Sequence, residues 1–527
     1  MSAAATDAAV PVLAGTAERA DLAAWLAVAA GTLGAFMALL DISIVNASLP
    51  VIQGEIGATQ SEGTWVGTSY LVAEIVVMPL TAWLERLLGL RRVLLLGASL
   101  FTAFSVVCGF ADDLTTMILG RIGQGLAGGT MIPCGMTIMA RRLPPGQQAI
   151  GLAIFASAAL MGPILGPLLG GWITETYSWH YAFFINVPIC AGLVVLILAG
   201  LRPERGNLSE LANADWLGIF GVMIFLGALT ILLEEGHREQ WFESPLIWQL
   251  AFGVVLGFAL LAAGQVRARQ PVLKLALLRD RALSSVLTLM MVTGAMLFGT
   301  LFVVPQFLAA VAGYNPFQAG QVIFLSGAVG MVAALFYPVL VSRLDLRVMV
   351  GTAIAILALA LYLMSQLTSE SRGEAFLLSQ LLLGVGVTFA SLPLQQAALS
   401  AVPVEDAAQA TSMFNIARNL GASIALAGLA SFMDQRIELH HWQLQGAIDA
   451  NDPEVGRQMT EMAMQFGGTP EALAGAYRMI DAQVMGQSMV MAFNDIFLVL
   501  SALAILAVPL VLLLKPIDPT RAQGAMH

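Results

Sequence analysis

The chain has 527 residues, 58% hydrophobic and only 11% charged, with a formal net charge of −10, whereas soluble domains are about 45–50% apolar and about 25% charged. This excludes an ordinary water-soluble enzyme and makes length a count of membrane spans. Cys108, Cys134 and Cys190 lie in apolar runs without metal-ligand spacing, which removes disulfides and zinc, and neither Lys274 nor Lys515 follows the glycines of a phosphate-cradling loop, which removes a P-loop ATPase.

A transmembrane helix takes about 20 mostly apolar residues, and fourteen such segments are predicted, numbered spans 1 to 14 in chain order. They lie near 23–47, 64–83, 93–110, 114–139, 149–173, 181–201, 215–234, 245–264, 284–310, 319–341, 349–367, 376–402, 409–431 and 492–514. Spans 1–6 and 9–14 match in rhythm, with spans 7 and 8 inserted between them. Two echoes support a duplication: Leu119–Gly123 in span 4 against Leu382–Gly386 in span 12, and Arg86–Arg92 after span 2 against Arg343–Arg347 after span 10. Two six-helix halves related by an axis along the membrane normal form a transporter architecture, with the substrate path between them. The expected division is a tail over 1–22, a first bundle over 23–201, a linker with two extra spans over 202–283, a second bundle over 284–514 and a tail over 515–527. Residues 1–20 carry no basic region of the signal-peptide kind, so span 1 reads as an uncleaved helix.

Lys and Arg resist translocation. With the N-terminus cytoplasmic, seventeen of the 24 fall inside, from Arg19 to Arg521, five fall outside, and Arg121 and Arg418 lie within spans. The same arrangement places 12 acids inside, 20 outside and 2 within spans, giving faces of +5 and −15. The basic face suits an anionic leaflet, and nucleic acid is not an expected partner. The longest polar segment, 434–487, is external, with helical periodicity around Val455–Phe466 and Ala472–Val484; it reads either as a cap or docking surface or as a solvated loop.

Ionisable groups at mid-bilayer cost about 2.5–3.5 kcal/mol on insertion scales and usually face a partner or a wet cavity. Asp41 in span 1, Glu74 in span 2, Arg121 in span 4 and Arg418 in span 13 are the candidates. Asp41 and Glu74 read either as reversibly protonated carboxylates tuned by a nearby guanidinium or as members of permanent Arg–carboxylate pairs that fix packing. Arg418 either lines the pore or snorkels. In span 5, the run Gly162-Pro163-Ile164-Leu165-Gly166-Pro167-Leu168-Leu169-Gly170-Gly171 places Gly162, Gly166 and Gly170 on one face, where they admit a close neighbour, while Pro163 and Pro167 interrupt the hydrogen-bond ladder.

At these residues the sequence resembles the major facilitator superfamily, specifically its fourteen-span drug:proton antiporters of the EmrB-like kind, over nearly the whole chain. Gly162–Gly171 is similar to that family's antiporter motif, and Leu40–Pro50 to its span-1 motif with an aspartate. Arg121-Ile122-Gly123-Gln124-Gly125, followed by Gly128, Gly129 and Pro133, resembles the span-4 motif whose arginine is implicated in proton transfer. Ser178–Pro188 resembles the entrance to span 6, Glu235–Phe242 the loop between the extra spans, and Phe414–Gly421 the span-13 signature. The gating motif after span 2 departs from the pattern: Ala82-Trp83-Leu84-Glu85-Arg86-Leu87-Leu88-Gly89-Leu90-Arg91-Arg92 lacks the first glycine and brings its acid one position early, and Glu85 with Arg91 or Arg92 is the expected substitute contact.

The resemblance implies an all-α major facilitator fold and proton-driven export of amphipathic, often toxic compounds across an inner membrane by alternating access. The proton gradient supplies the energy, with no cofactor and no metal. Asp41, Glu74 and Arg121 would couple protons, Gly162, Pro163, Gly166, Pro167 and Gly170 would restrain leak, and Glu85, Arg86, Gly89, Arg91 and Arg92 would form the cytoplasmic gate. From span position, Asn46, Tyr70, Gln124, Gln306, Gln395, Asn415 and Arg418 are expected to line the substrate cavity. By analogy, a periplasmic adaptor and an outer-membrane channel are partners, docking on 434–487. A specific metabolite exporter or importer on the same scaffold is the alternative. An intramembrane enzyme lacks support, since no H-E-x-x-H or G-x-S-x-G occurs and the five histidines lie outside the predicted spans.

Overall fold

The computed structural model describes residues 19–514 apart from Arg205, Arg269, 404–405, 448–456, 458–460, 462–463 and 465–469. Most of the two expected tails and most of Val455–Phe466 therefore lie outside the described residues. Among the described residues there is no strand, and the helices satisfy their backbone polar groups within each segment, as a bilayer interior demands.

Helices occupy all fourteen predicted positions. Span 1 is Leu22–Glu55, span 3 Leu90–Gly109, span 4 Leu114–Arg142, span 5 Pro145–Thr176, span 7 Trp216–Glu235 and span 8 Pro245–Arg267. Spans 9 to 12 are Arg281–Ala310, Pro316–Val341, Leu346–Met364 and Leu377–Ser400. Span 6 is His180–Gly200. Among the described residues twelve helices are long and apolar enough to cross a membrane on length and composition alone. Spans 2 and 4 fall short for physical reasons. Span 2 is broken into Trp65–Val77, the 3-10 turn Met78–Leu80 and Thr81–Leu88, because Pro79 has no N–H to donate, and span 4 carries Arg121, Gln124 and many glycines. Several helix starts are written in the sequence: Asp21, Asp113, Asp215, Asp280 and Asn315 each accept a backbone N–H of the first turn.

Spans 13 and 14 differ most from expectation. Span 13 is Ala407–Ala447 and span 14 begins at Pro470. Span 13 has 41 residues, a length of about 60 Å against a hydrocarbon core of about 30 Å, so much of the expected external segment continues these two spans. Arg436 Nε and His440 Nε2 each lie 2.6 Å from Asp495 Oδ2, and Gln445 Nε2 donates to Asp481 Oδ1 at 3.1 Å, tying the two extensions together.

Two main apolar cores form. One is built from spans 1–6 with a few residues of spans 10 to 12; the other from spans 9–14, joined by Ile219, Val222, Leu226 and Leu261 of the inserted pair and by Ile75, Val76 and Leu80 of span 2. The packing is similar in the two halves: span 1 lies on span 5 as span 9 lies on span 13, and span 4 packs between spans 2 and 3 as span 12 packs between spans 10 and 11. The halves meet mainly through spans 5 and 10 and through spans 4 and 13, and span 7 bridges spans 2 and 13.

Candidate functional site

A sealed polar network sits inside the first half. Arg121 Nη1 lies 2.5 Å from Asp41 Oδ2, with both side chains fully buried. Asp41 Oδ1 accepts from Asn186 Nδ2 at 2.6 Å and from Gln124 Nε2 at 3.2 Å, and both amides reach Ser105 Oγ, at 3.1 and 2.7 Å. Arg121 also donates to Val66 O at 3.0 Å and to Gln124 Oε1 at 3.0 Å, and its guanidinium lies 4.2 Å from the centre of the Tyr70 ring. Among the described residues Arg121 Nη2 has no hydrogen-bond partner. Glycine makes the arrangement possible: a Cβ on Gly125 would stand 2.4 Å from Tyr70 O, and one on Gly129 2.6 Å from Glu74 O, so span 2 approaches span 4 closely enough to bring Tyr70 beneath Arg121.

On the other side of span 1 is a cavity of about 820 Å³, within the range of small-molecule pockets. Spans 1, 2, 5, 7, 9, 10, 12 and 13 contribute to its wall. The lining reaches Ala309 and Tyr314 towards the acidic face. On the basic side the halves are closed: Ser412 Oγ donates to Met78 O at 2.9 Å and Gln395 Nε2 lies 3.1 Å from Met136 Sδ. The wall is mostly apolar, with Glu74, Glu234 and Arg418 as its acidic and basic side chains. Glu74, on the span-2 stretch that packs against the glycines of span 4, stands between the cavity and the sealed pair. Close packing of spans 9 and 13 places Arg418, since a Cβ on Gly294 would lie 2.4 Å from Arg418 O and one on Gly421 2.0 Å from Met291 O.

Of the residues expected in the cavity, Asn46, Gln306 and Arg418 line it. Tyr70 and Gln124 do not; they belong to the sealed network, because the glycine face of span 4 draws them inward. Gln395 and Asn415 are also elsewhere, buried at the closure beside Met136, because the cavity occupies only the acidic-face part of spans 12 and 13. The span-5 run divides its labour. Cβ atoms on Gly162, Gly166 and Gly170 would lie 2.9, 2.1 and 2.7 Å from atoms of span 1, while Pro163 and Pro167 face the cavity.

The contacts after span 2 differ from expectation. Glu85 is buried and faces Arg141 Nη2 at 3.7 Å, at the end of span 4, and not Arg91 or Arg92, which form no ion pair among the described residues. Arg86 reaches Glu210 at 3.3 Å in the linker after span 6. Gly89 ends the helix at φ +86°, which its missing side chain permits, and Leu90 starts span 3 at once, pointing Arg91 and Arg92 away from Glu85. Sequence reasoning did not select Asn186, Ser105 or Glu234. Asn186 lies within the span-6 motif, Glu234 is one of the acidic charges at the end of span 7, and Ser105 carries no distinguishing sequence signal.

The profile of the Major Facilitator Superfamily matches residues 31–426. The chain is 31% identical over 486 residues to the colistin resistance protein EmrB of Acinetobacter baumannii, covering 91% of this chain and 94% of that protein. It is 30% identical over 490 residues to the multidrug export protein EmrB of Escherichia coli (strain K12), covering 92% and 94%, and 29% identical over 510 residues to the fatty acid resistance protein FarB of Neisseria gonorrhoeae, covering 96% and 98%. Among solved structures, the human organic anion transporter MFSD10 (TETRAN) superposes with a TM-score of 0.56 at 16% identity, over 91% of this chain and 99% of that one, a likeness of fold.

Proposed function

The chain belongs to the major facilitator superfamily of multi-pass membrane transporters, and from that premise we propose that it is a proton-coupled antiporter exporting amphipathic drugs or toxic compounds across the inner membrane. Both termini lie on the cytoplasmic, basic face in this reading, and alternating access moves the cavity between the two faces. Relatives named for multidrug export, colistin resistance and fatty acid resistance support the substrate class.

The observation that carries the proposal is the position of Glu74, in the wall of the cavity that Arg418 also lines, with the buried Asp41–Arg121 pair behind it. A proton that enters the cavity from the acidic face reaches Glu74 before the sealed Asp41–Arg121 pair. Neutralising Glu74 removes one of the two carboxylates that act on Arg121, and the guanidinium, which has an unused Nη2 donor, can reorganise between Asp41 and Gln124. A buried pair with an unsatisfied donor fits a site that rearranges better than one fixed for packing. Glycine-mediated contact of span 5 with span 1 keeps water out of the path beside Asp41. One proton falling through about 150 mV supplies roughly 3.5 kcal/mol, enough for a substrate gradient of order 300-fold. The joined extensions of spans 13 and 14 offer a periplasmic adaptor of a tripartite system its docking surface.

The test uses the full chain in liposomes with an internal pH dye and a panel of lipophilic cations, uncouplers and acidic drugs. Substrate-stimulated proton flux is expected in the wild type, with at least about a tenfold loss in Asp41→Asn and Glu74→Gln, equivalent to about 1.4 kcal/mol or more. Substrate transport without proton flux would overturn the coupling. Transport of a single metabolite alone would replace drug export with the narrower function.

A further inference from the structure

Span 7 belongs to the inserted pair, outside the two six-helix halves, yet its Glu234 reaches the cavity. The two glutamates that end this span face different ways, as successive residues on a helix must, about 100° apart. Glu235 turns to span 2, where it pairs with Arg238 at 2.9 Å and accepts from Thr68 Oγ1 at 3.4 Å. Glu234 turns to the cavity and accepts one hydrogen bond, from Ser423 Oγ of span 13 at 3.2 Å. Among the described residues no Lys, Arg or His lies within ion-pair distance of it, whereas its neighbour Glu235 has its own partner in Arg238. The wall thus holds two carboxylates, Glu74 and Glu234, against one guanidinium, Arg418, an excess of one negative charge, and Glu74 is the carboxylate taken up by the proposed proton path.

A carboxylate held against an apolar cavity without a counter-ion is unfavourable until a cation arrives. The surrounding wall suits an organic one: Leu297, Leu301, Ile323 and Leu426 offer apolar surface, and Phe298 and Phe324 offer aromatic rings to which a desolvated cation is attracted. We propose that Glu234, on the inserted span 7, is the cation-recognising residue of the cavity and gives this transporter amphipathic organic cations as substrates. The inserted helices thereby supply a specificity determinant that twelve spans alone would lack. This inference rests on reading the cavity as the drug-binding site.

The experiment measures equilibrium binding of tetraphenylphosphonium, a permanent lipophilic cation, and of triphenylphosphine oxide, a neutral compound of similar shape, to the full chain in nanodiscs. The wild type, Glu234→Gln and Glu234→Asp are compared, with thermal melting to verify folding. The wild type is expected to bind the cation at least about tenfold more tightly than the neutral compound. Glu234→Gln should remove that preference while changing neutral binding less than about twofold, and Glu234→Asp should retain part of it. Unchanged cation binding in Glu234→Gln, or equal weakening of both ligands, would overturn the assignment. A wild type that binds the neutral compound but not the cation would overturn it while leaving the drug-binding reading standing; a wild type that binds neither and transports nothing in the liposome panel would overturn both.

Discussion

Asp41 is a carboxylate taken wholly out of water and surrounded by Arg121, Gln124 and Asn186, so each neighbour is worth more than it would be at a surface. Removing the cation alone leaves a buried, uncompensated charge, which typically costs about 3–5 kcal/mol. Arg121→Ala is therefore expected to lower the stability of the detergent-solubilised protein by about that amount, read as a fall in melting temperature, while Asp41→Asn combined with Arg121→Ala recovers part of it. Recovery arises because the double variant has no buried charge left at this site. Asn186→Ala tests the network from span 6: losing the 2.6 Å bond to Asp41 should reduce substrate-driven proton flux by about tenfold, on the scale of about 1.5–3 kcal/mol for a hydrogen bond to a charged group. Flux equal to wild type would separate Asn186 from the coupling site.

Among the elements, span 5 shows how one helix serves two neighbours. Its glycine face has no room for a side chain: a Cβ on Gly166 would sit 2.1 Å from Ser43 Cβ, whereas one on Gly171, in the same run, would meet nothing within 4 Å. Gly166→Ala should force spans 1 and 5 apart at a cost of about 1–3 kcal/mol and lower transport by about tenfold or more, while Gly171→Ala transports as wild type. Equal loss in both would show that the run acts through helix flexibility instead of contact. At the acidic-face end of span 1, Thr59 and Glu62 form a reciprocal cap on the short helix Gln60–Gly63. The Thr59 backbone N–H, and then its hydroxyl, hold the Glu62 carboxyl below its ordinary value of 4.5. A lowered carboxyl stabilises above its unfolded pKa and loses that contribution as pH falls through the folded one. The protection factor of the Thr59 amide, its exchange rate measured against the intrinsic rate at the same pH, should accordingly be full near neutrality and fall only below about the ordinary carboxylate range.

For the whole molecule, the two halves touch on the basic side and part around the cavity on the other. Met136 of span 4 meets Gln395 of span 12 and Asn415 of span 13, and Ser412 holds Met78. Alternating access requires these contacts to break. A short bis-thiol reagent linking Met136→Cys to Gln395→Cys should hold the protein with its cavity towards the acidic face and abolish transport, with binding of ligand from that face retained. Transport that continues through a complete cross-link would show that the closure is not one that opens. The hairpin after span 7 adds a tie across the opposite side: Trp241 Nε1 donates to Ser431 Oγ at 2.9 Å in span 13, and Arg238 bonds Thr64 beside span 2.

The sequence by itself determined the number and order of the helices, most of their ends, the contrast between a basic and an acidic face, and the identities of the expensive groups in the bilayer. Each of these is local or additive: hydropathy over about 20 residues, a capping side chain, a sum of charges. The break in span 2 follows equally from Pro79. Tertiary structure decided which polar groups share a site. Asp41 is joined to Arg121 and Asn186 from spans 4 and 6, and Glu74 is separated from them into a cavity with Arg418 of span 13 and Glu234 of span 7. Nothing in a helix's own sequence states the angle at which it meets another, because that angle is set by small residues on both partners, as at Gly125 against Tyr70 and Gly166 against Ser43. For the same reason Tyr70, Gln124, Gln395 and Asn415, polar and well placed along their spans, turn out to face packed helices instead of the cavity.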